Sequence, residues 1–189
     1  MNPLIRLVLV FSLWGAWIIP FFLNRARGQG KAVKVDSRAR FGILLVAMGF
    51  FIANFHGPHG PKVWAEPLEV WRAALGIAFG ALAISLSWMA VGSLGKQWRV
   101  DAGLNADHEL VQSGAYRLVR HPIYLSIILM LSTNIAMVGK LPGWPIAIVL
   151  AIAGTEIRVR VEDSLLSTRF GADFTAWQKR VPAYLPFVR

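Results

Sequence analysis

The chain contains no cysteine, which removes disulfides, thiolate metal sites and a cysteine nucleophile, and leaves the redox compartment unreadable from thiols. Charge is scarce, at 16% of 189 residues, where a soluble domain averages about 25%. Acidic residues are scarcer still, with 10 Asp and Glu against 20 Lys and Arg. No glycine-rich fingerprint follows a strand-like run, so nothing points to a Rossmann dinucleotide site. There is no internal repeat and no low-complexity segment. What remains is 56% hydrophobic, the composition of a membrane protein. A net charge of +10 could answer to nucleic acid, but a nucleic-acid module would gather its basic residues on a soluble face, and here they fall between apolar runs.

Five runs stand out: Leu7 to Leu23, Phe41 to Phe55, Val70 to Leu94, Ile123 to Val138 and Leu141 to Ile157. A helix crossing the hydrocarbon core needs roughly 20 residues. The third run is ample and the first and fifth just reach; the second and fourth reach only with their flanks. Only "GKL" separates the fourth and fifth, with "PGWP" just after, the signature of a helical hairpin. Cytoplasmic loops collect Lys and Arg. With the N-terminus outside, the inside segments hold Arg25 to Arg40, Lys96 to Arg120 and the tail, whereas the outside keeps only Arg6, Lys62, Arg72 and Lys140. The expected fold is therefore all-α and polytopic, with about five spans, the N-terminus outside and the C-terminus in the cytoplasm. It divides into three N-terminal spans over residues 1–94 and a region over residues 95–189 made of a loop, the hairpin and a helical tail.

Chemistry is confined to two inside pieces, residues 95–121 and 156–189. Pro122 suits the first turn of the fourth helix, and it pushes His121 toward extended backbone. The free N–H groups of that helix start then point where Arg120 and His121 point, a ready anion site. The plainer reading, arginines reaching to lipid phosphates, stays open on this evidence. Gly114, two residues before Tyr116, reads as a turn that brings backbone close to a neighbour. His108 reads as a solvated loop histidine, with a base or ligand role as the minority reading. His56 and His59 in "HGPHG" lack a carboxylate or cysteine partner for a metal, and Gly-Pro between them forbids a helix.

Past the fifth run, Glu156 with Arg160 and Arg158 with Glu162 fall four apart, on shared helix faces. Glu162 and Asp163 point roughly 100° apart, so one ligand cannot use both equally, and Glu162 is the inward one on this reading. Gly171 ends this helix and Asp173 starts a second short one. Leu166, Phe170, Phe174 and Trp177 form a stripe that would lay the tail on the membrane surface and carry Arg180 toward Arg120.

The stretches "ELVQSGAYRLVRHPIYLS", "RVRVEDSLLSTRFGADFTAW" and "KRVPAYLPF", in this order around a hairpin, resemble the isoprenylcysteine carboxyl methyltransferase family and the related membrane phospholipid methyltransferases. The likeness covers roughly the C-terminal half; the N-terminal spans match nothing beyond being spans. It implies an integral membrane enzyme using S-adenosylmethionine, with no metal and no nucleic acid, and with a prenylated or other lipophilic acceptor and membrane lipid as partners. It implies that Leu110, Gly114, Tyr116, His121, Pro122 and Tyr124 line the cofactor site, that Glu162 receives the cofactor's polar end, and that Arg120 and Arg180 hold the acceptor. This chain departs from the family in having Asp163 where a second glutamate is common and Ser126 where glycine is frequent. An anionic acceptor needs no base at neutral pH, whereas a phosphatidylethanolamine acceptor would need Glu162 or His121 as its base. The arginines favour the first. A non-enzymatic lipid-binding membrane protein is the alternative from another class. Sterol reductases, which share a related C-terminal architecture, have more spans than this chain offers.

Overall fold

Backbone surrounded by hydrocarbon must satisfy its own hydrogen bonds, and each apolar run does so as a helix. A computed structural model describes residues 1–26, 32–35, 37–54, 68–138 and 143–184. Among the described residues five α-helices follow one another: α1 (Pro3–Ala26), α2 (Arg38–Asn54), α3 (Val70–Leu94), α4 (Pro122–Met137) and α5 (Trp144–Arg180). By length and composition α1 and α3 can cross a membrane, and α4 is a shorter apolar helix. The His56 and His59 motif, the turn at residues 139–142 between the fourth and fifth runs, and the closing "LPF" lie outside the described residues.

One element is not foreseen by the sequence. β1 (Ala32–Val35) pairs antiparallel with β2 (Gly103–Asn105), so the connection after α1 is clipped to the loop after α3. Strands of four and three residues are too short to display an alternating pattern.

The most extensive packing joins α2 to α5, then α3 to α4, with α1 laid on α3. The fourth and fifth helices meet less closely, through side chains such as Leu131 on Ala147 and Ala151 and Tyr124 on Val159. Residue size supplies the reason. In lipid, helices associate through close packing rather than a hydrophobic drive, so small residues mark the seams. α2 offers Gly42 and Gly49, and α5 meets them with Gly154, Ala147 and Ala151. Met137 of α4 fills the notch at Gly76 of α3. Both packings cross the division at residues 94 and 95, so the N-terminal spans and the C-terminal region share their seams.

Polar ties set the register of α1. The Trp88 indole donates to the Ala16 carbonyl at 3.0 Å, and the Asn24 amide donates to the Gly95 carbonyl at 2.6 Å. Past α3 the chain turns at Gly114, whose φ of 58° disfavours a side chain and where a Cβ would strike Ser93. α4 then starts at Pro122, as its ring geometry requires.

At the α2–α5 seam a Cβ on Gly154 would lie 2.5 Å from the Gly42 carbonyl oxygen, whereas one on Gly15 would meet nothing within 4 Å. Gly154→Ala is expected to destabilise by about 1–3 kcal/mol through overpacking and to lower the melting temperature in detergent by several degrees. Gly15→Ala should leave it unchanged; equal melting of the two variants would refute the seam.

Candidate active site

Loop, hairpin start and tail converge on a cavity of about 440 Å³. Its polar end is bounded by Arg25, Arg99, Asp101, Glu109, Arg158 and Glu162, and its apolar end by side chains of α1, α2 and α4. Of the residues singled out from the sequence, Leu110, Tyr116, Arg120, His121, Tyr124 and Glu162 line it. Gly114 and Pro122 do not; they shape the turn and the helix start that carry their neighbours.

Three corrections concern the doorstep and the tail. First, Asp163 also points inward. It is 7% exposed, and its carboxylate meets His121 Nε2 at 2.7 Å and Arg120 Nη2 at 3.1 Å. Glu162 meets the other ring nitrogen, His121 Nδ1, at 3.6 Å. Adjacent helical residues diverge, but the two nitrogens of an imidazole lie on different edges, so one ring spans both carboxylates. Second, Arg120 is 1% exposed and both its terminal nitrogens are committed within the protein, while its Nε has no partner among the described residues. It donates to the carbonyls of Gln178 and Val181 as well as to Asp163. The anion drawn to this helix start is the chain's own aspartate. Third, Arg180 is exposed and donates to Ala176 of its own helix, away from the cavity.

The tail is positioned by packing. Gly171, with φ 51°, interrupts α5, and the stretch beyond it buries Phe174 and Trp177 against Ala90, Ala115 and Tyr116. The aromatic stripe therefore covers the protein's own core rather than the membrane surface, because the turn at residues 114–117 presents it with an apolar seat. The segment after α5 then runs beside the doorstep: the backbone amides of Arg120 and His121 donate to Pro182 and Ala183, each at 2.8 Å. Tyr184 closes it by donating to Glu156 at 2.8 Å.

The cavity is lined by two further residues to which the sequence assigns no place in the site. Arg158 reads from the sequence only as the partner of Glu162. Its Nε donates to the Tyr124 hydroxyl at 2.7 Å, its Nη2 to the Val100 carbonyl at 2.9 Å, and the Tyr124 hydroxyl in turn donates to Glu162. Arg158 Nη1 is buried and finds no partner among the described residues. His108, read as solvated, lines the cavity; burial lowers its pKa, which keeps the ring neutral, and its Nδ1 has no partner among the described residues. The i,i+4 spacing signalled the Arg158–Glu162 pair; nothing local signalled His108. At the mouth, Arg99 grips Asp101 with both carboxylate oxygens, at 2.9 and 3.0 Å. Among the described residues no group of three His, Cys, Asp or Glu could hold a metal ion.

The charges follow from this geometry. Burial opposes ionisation of Asp163, but the hydrogen bond and charge of His121 and the charge of Arg120 outweigh it and hold the carboxyl at about 2. Burial likewise disfavours charged His121, yet the bonds and charges of Asp163 and Glu162 raise its pKa above 6.5.

The isoprenylcysteine carboxyl methyltransferase family model matches residues 76–168. The cobalt-zinc-cadmium resistance protein CzcN of Cupriavidus metallidurans is 28% identical over 155 residues, covering 79% of this chain and 65% of that protein. The protein-S-isoprenylcysteine O-methyltransferase of Tribolium castaneum is 26% identical over 179 residues, covering 88% of this chain and 60% of that one. Among solved structures, the eukaryotic intramembrane Ras methyltransferase ICMT superposes with a TM-score of 0.58 at 24% identity, over 82% of this chain and 55% of that one. The chain thus spans less than two thirds of the length of these relatives.

A raised histidine pKa means that stability from the His121 imidazolium is full below pH 6.5 and is lost as pH rises through the folded value. The depressed Asp163 acts oppositely, its contribution being lost as pH falls from 3.8 toward about 2. Asp163→Asn is expected to destabilise by about 3 kcal/mol, because it strands a buried cation, and to flatten the fall in melting temperature as pH rises above 6.5; an unchanged melting profile would count against the cluster. The residues of this cluster, from Arg120 to Asp163, lie within residues 76–168, the stretch over which the chain matches the isoprenylcysteine carboxyl methyltransferase family model.

Proposed function

We propose that this protein is an integral membrane methyltransferase that uses S-adenosylmethionine to esterify the carboxylate of a lipophilic, isoprenylcysteine-like acceptor. In this reading five helices span the bilayer, the N-terminus lies outside, and the site opens to the cytoplasm. The observation that carries it is Arg158, a buried guanidinium on the cavity wall that keeps one nitrogen free of partners among the described residues where polar and apolar walls meet. The names of the Tribolium castaneum relative and of an Arabidopsis thaliana relative, protein-S-isoprenylcysteine O-methyltransferase B, 29% identical over 82 residues, support the acceptor class.

The residues present fit the cofactor. Glu162, Glu109 and Asp101 offer carboxylates to a cation, Leu110 and Trp177 offer apolar faces to a flat base, and the buried polar atoms His108 Nδ1 and Trp177 Nε1 have no partner among the described residues. When bound, S-adenosylmethionine supplies a methyl carbon already activated by its sulfonium, so that an acceptor carboxylate oxygen gains the methyl as the sulfur regains its electron pair. No proton moves. The protein's work is to align the acceptor and exclude water.

Arg158 is suited to hold the acceptor carboxylate, since a guanidinium fork matches its geometry. Tyr124 and Glu162 hold that guanidinium in place through the bonds described above. Arg120, committed to Asp163, and Arg180, exposed, are left as positioning and surface residues. His121 has both ring nitrogens engaged by carboxylates and is poorly placed to act as a base, and Glu162, whose pKa is lowered against the effect of burial by His121 and Arg158, is a poor one too. Both facts favour an acceptor that needs no deprotonation over an ammonium headgroup.

In nanodiscs with methyl-labelled S-adenosylmethionine, label on N-acetyl-S-farnesylcysteine that base releases is the expected outcome; base-stable label on phosphatidylethanolamine would replace this reading with N-methylation. Arg158→Ala should lower kcat/KM for the cysteine analogue by roughly 100-fold or more, the scale of losing one preorganised donor to an oxyanion, with methyl-donor binding little changed. Glu162→Gln should weaken donor binding instead. Arg180→Ala should stay within about twofold of wild type; a loss as large as that of Arg158→Ala would reverse their roles.

A further inference from the structure

The cavity is asymmetric along the axis of α1. Its lining on α1 is an i, i+4 stripe that begins at Trp17 and ends at Arg25 beside the polar loop. Trp17 lies about 12 Å deeper than Arg25, at about 1.5 Å per residue. On α4 the deepest lining residue is Ile127, one position past Ser126. Between Trp17 and the start of α1 no residue lines the cavity, and none does beyond Ile127 on α4. These two side chains, with Val46 of α2, therefore form its deep end.

The floor is fixed in place. The Trp17 indole N–H donates to Ser126 Oγ at 3.1 Å, and that hydroxyl, 0% exposed, donates to the Ile123 carbonyl at 2.7 Å. The ring lies edge-on to Trp14 at 5.6 Å and to Phe21 at 5.4 Å. Behind it Trp14 packs on Phe50 at 5.3 Å and donates to Asn134 Oδ1 at 3.3 Å. Swinging Trp17 aside would break its hydrogen bond to a buried hydroxyl and would meet a second packed tryptophan.

We propose that Trp17, pinned by Ser126, is the floor that sets the length of the acceptor's hydrocarbon chain, with Trp17 as the specificity-determining residue and Ser126 as its positioning residue. This rests on the reading of the site as a methyltransferase with a lipophilic acceptor. A chain whose polar end is held near Arg158 extends along Phe21 and Phe22 toward Trp17, and an added isoprene unit meets the indole.

The test compares kcat/KM for N-acetyl-S-geranyl-, S-farnesyl- and S-geranylgeranylcysteine in nanodiscs, with wild type, Trp17→Ala and Ser126→Ala. Trp17→Ala is expected to raise the geranylgeranyl-to-farnesyl ratio by roughly tenfold or more, the scale on which added methylenes are discriminated in an apolar pocket. Ser126→Ala should move the ratio the same way by less, and it decides the question if Trp17→Ala does not fold. General damage lowers all three rates and leaves the ratio alone. An unaltered ratio in both variants overturns the floor while leaving the methyltransferase reading intact; no turnover of any analogue by wild type overturns that reading and the floor with it.

Discussion

One buried carboxylate organises the C-terminal half of this protein. Asp163 is reached by His121, Arg120 and Gln178, groups from the start of α4, the loop before it and the end of α5. Withdrawing charges from water is costly, and an arrangement of this kind persists only where each ion is hydrogen-bonded as well as paired. Here Arg120 meets that condition by also taking two backbone carbonyls. Because the rotation of α5 is fixed by Asp163, the directions of Glu162, one residue earlier, and of Arg158, a turn before Glu162, are fixed too. Glu162 and Arg158 owe their places on the cavity wall to an aspartate that itself lines nothing.

The N-terminal helices supply what that cluster cannot, namely a dry boundary. α1 contributes aromatic walls and α2 is pressed to α5 through glycine and alanine, so backbone lies close to backbone. The division of labour is physical: charge holds the functional groups in register, and close packing in lipid keeps the hydrocarbon end shaped. The ribbon of β1 and β2 joins the two by tethering the connection after α1 to the loop whose Val100 carbonyl receives Arg158.

The sequence reveals the parts of this arrangement that depend on local pattern. Helix positions follow from apolar runs, the start of α4 from Pro122, and the break at Gly171 from glycine followed by Asp173. The i,i+4 rule identifies the Arg158–Glu162 pair, and the motif around Arg120 to Tyr124 identifies the neighbourhood of the site. What stays hidden depends on tertiary placement. Whether Asp163 faces in or out depends on where an imidazole from another helix lies, and the commitment of Arg120 depends on carbonyls in the tail. Arg180 is read from the sequence as a partner of Arg120 because its backbone comes near, but direction belongs to the side chain, and that turns outward. The aromatic stripe is legible as an apolar face that suggests the membrane surface, whereas its seat, the turn at residues 114–117, is visible only once the chain has folded.

The glycine seam has a consequence for how such proteins can be recombined. The family match begins at residue 76, whereas α2, the helix most extensively packed on α5, ends at Asn54. A chimera that grafts the matched stretch onto another set of N-terminal helices separates α5 from the surface it fits at Gly42 and Gly49. The exchangeable module of this architecture is thus discontinuous in sequence, and α2 has to travel with α5.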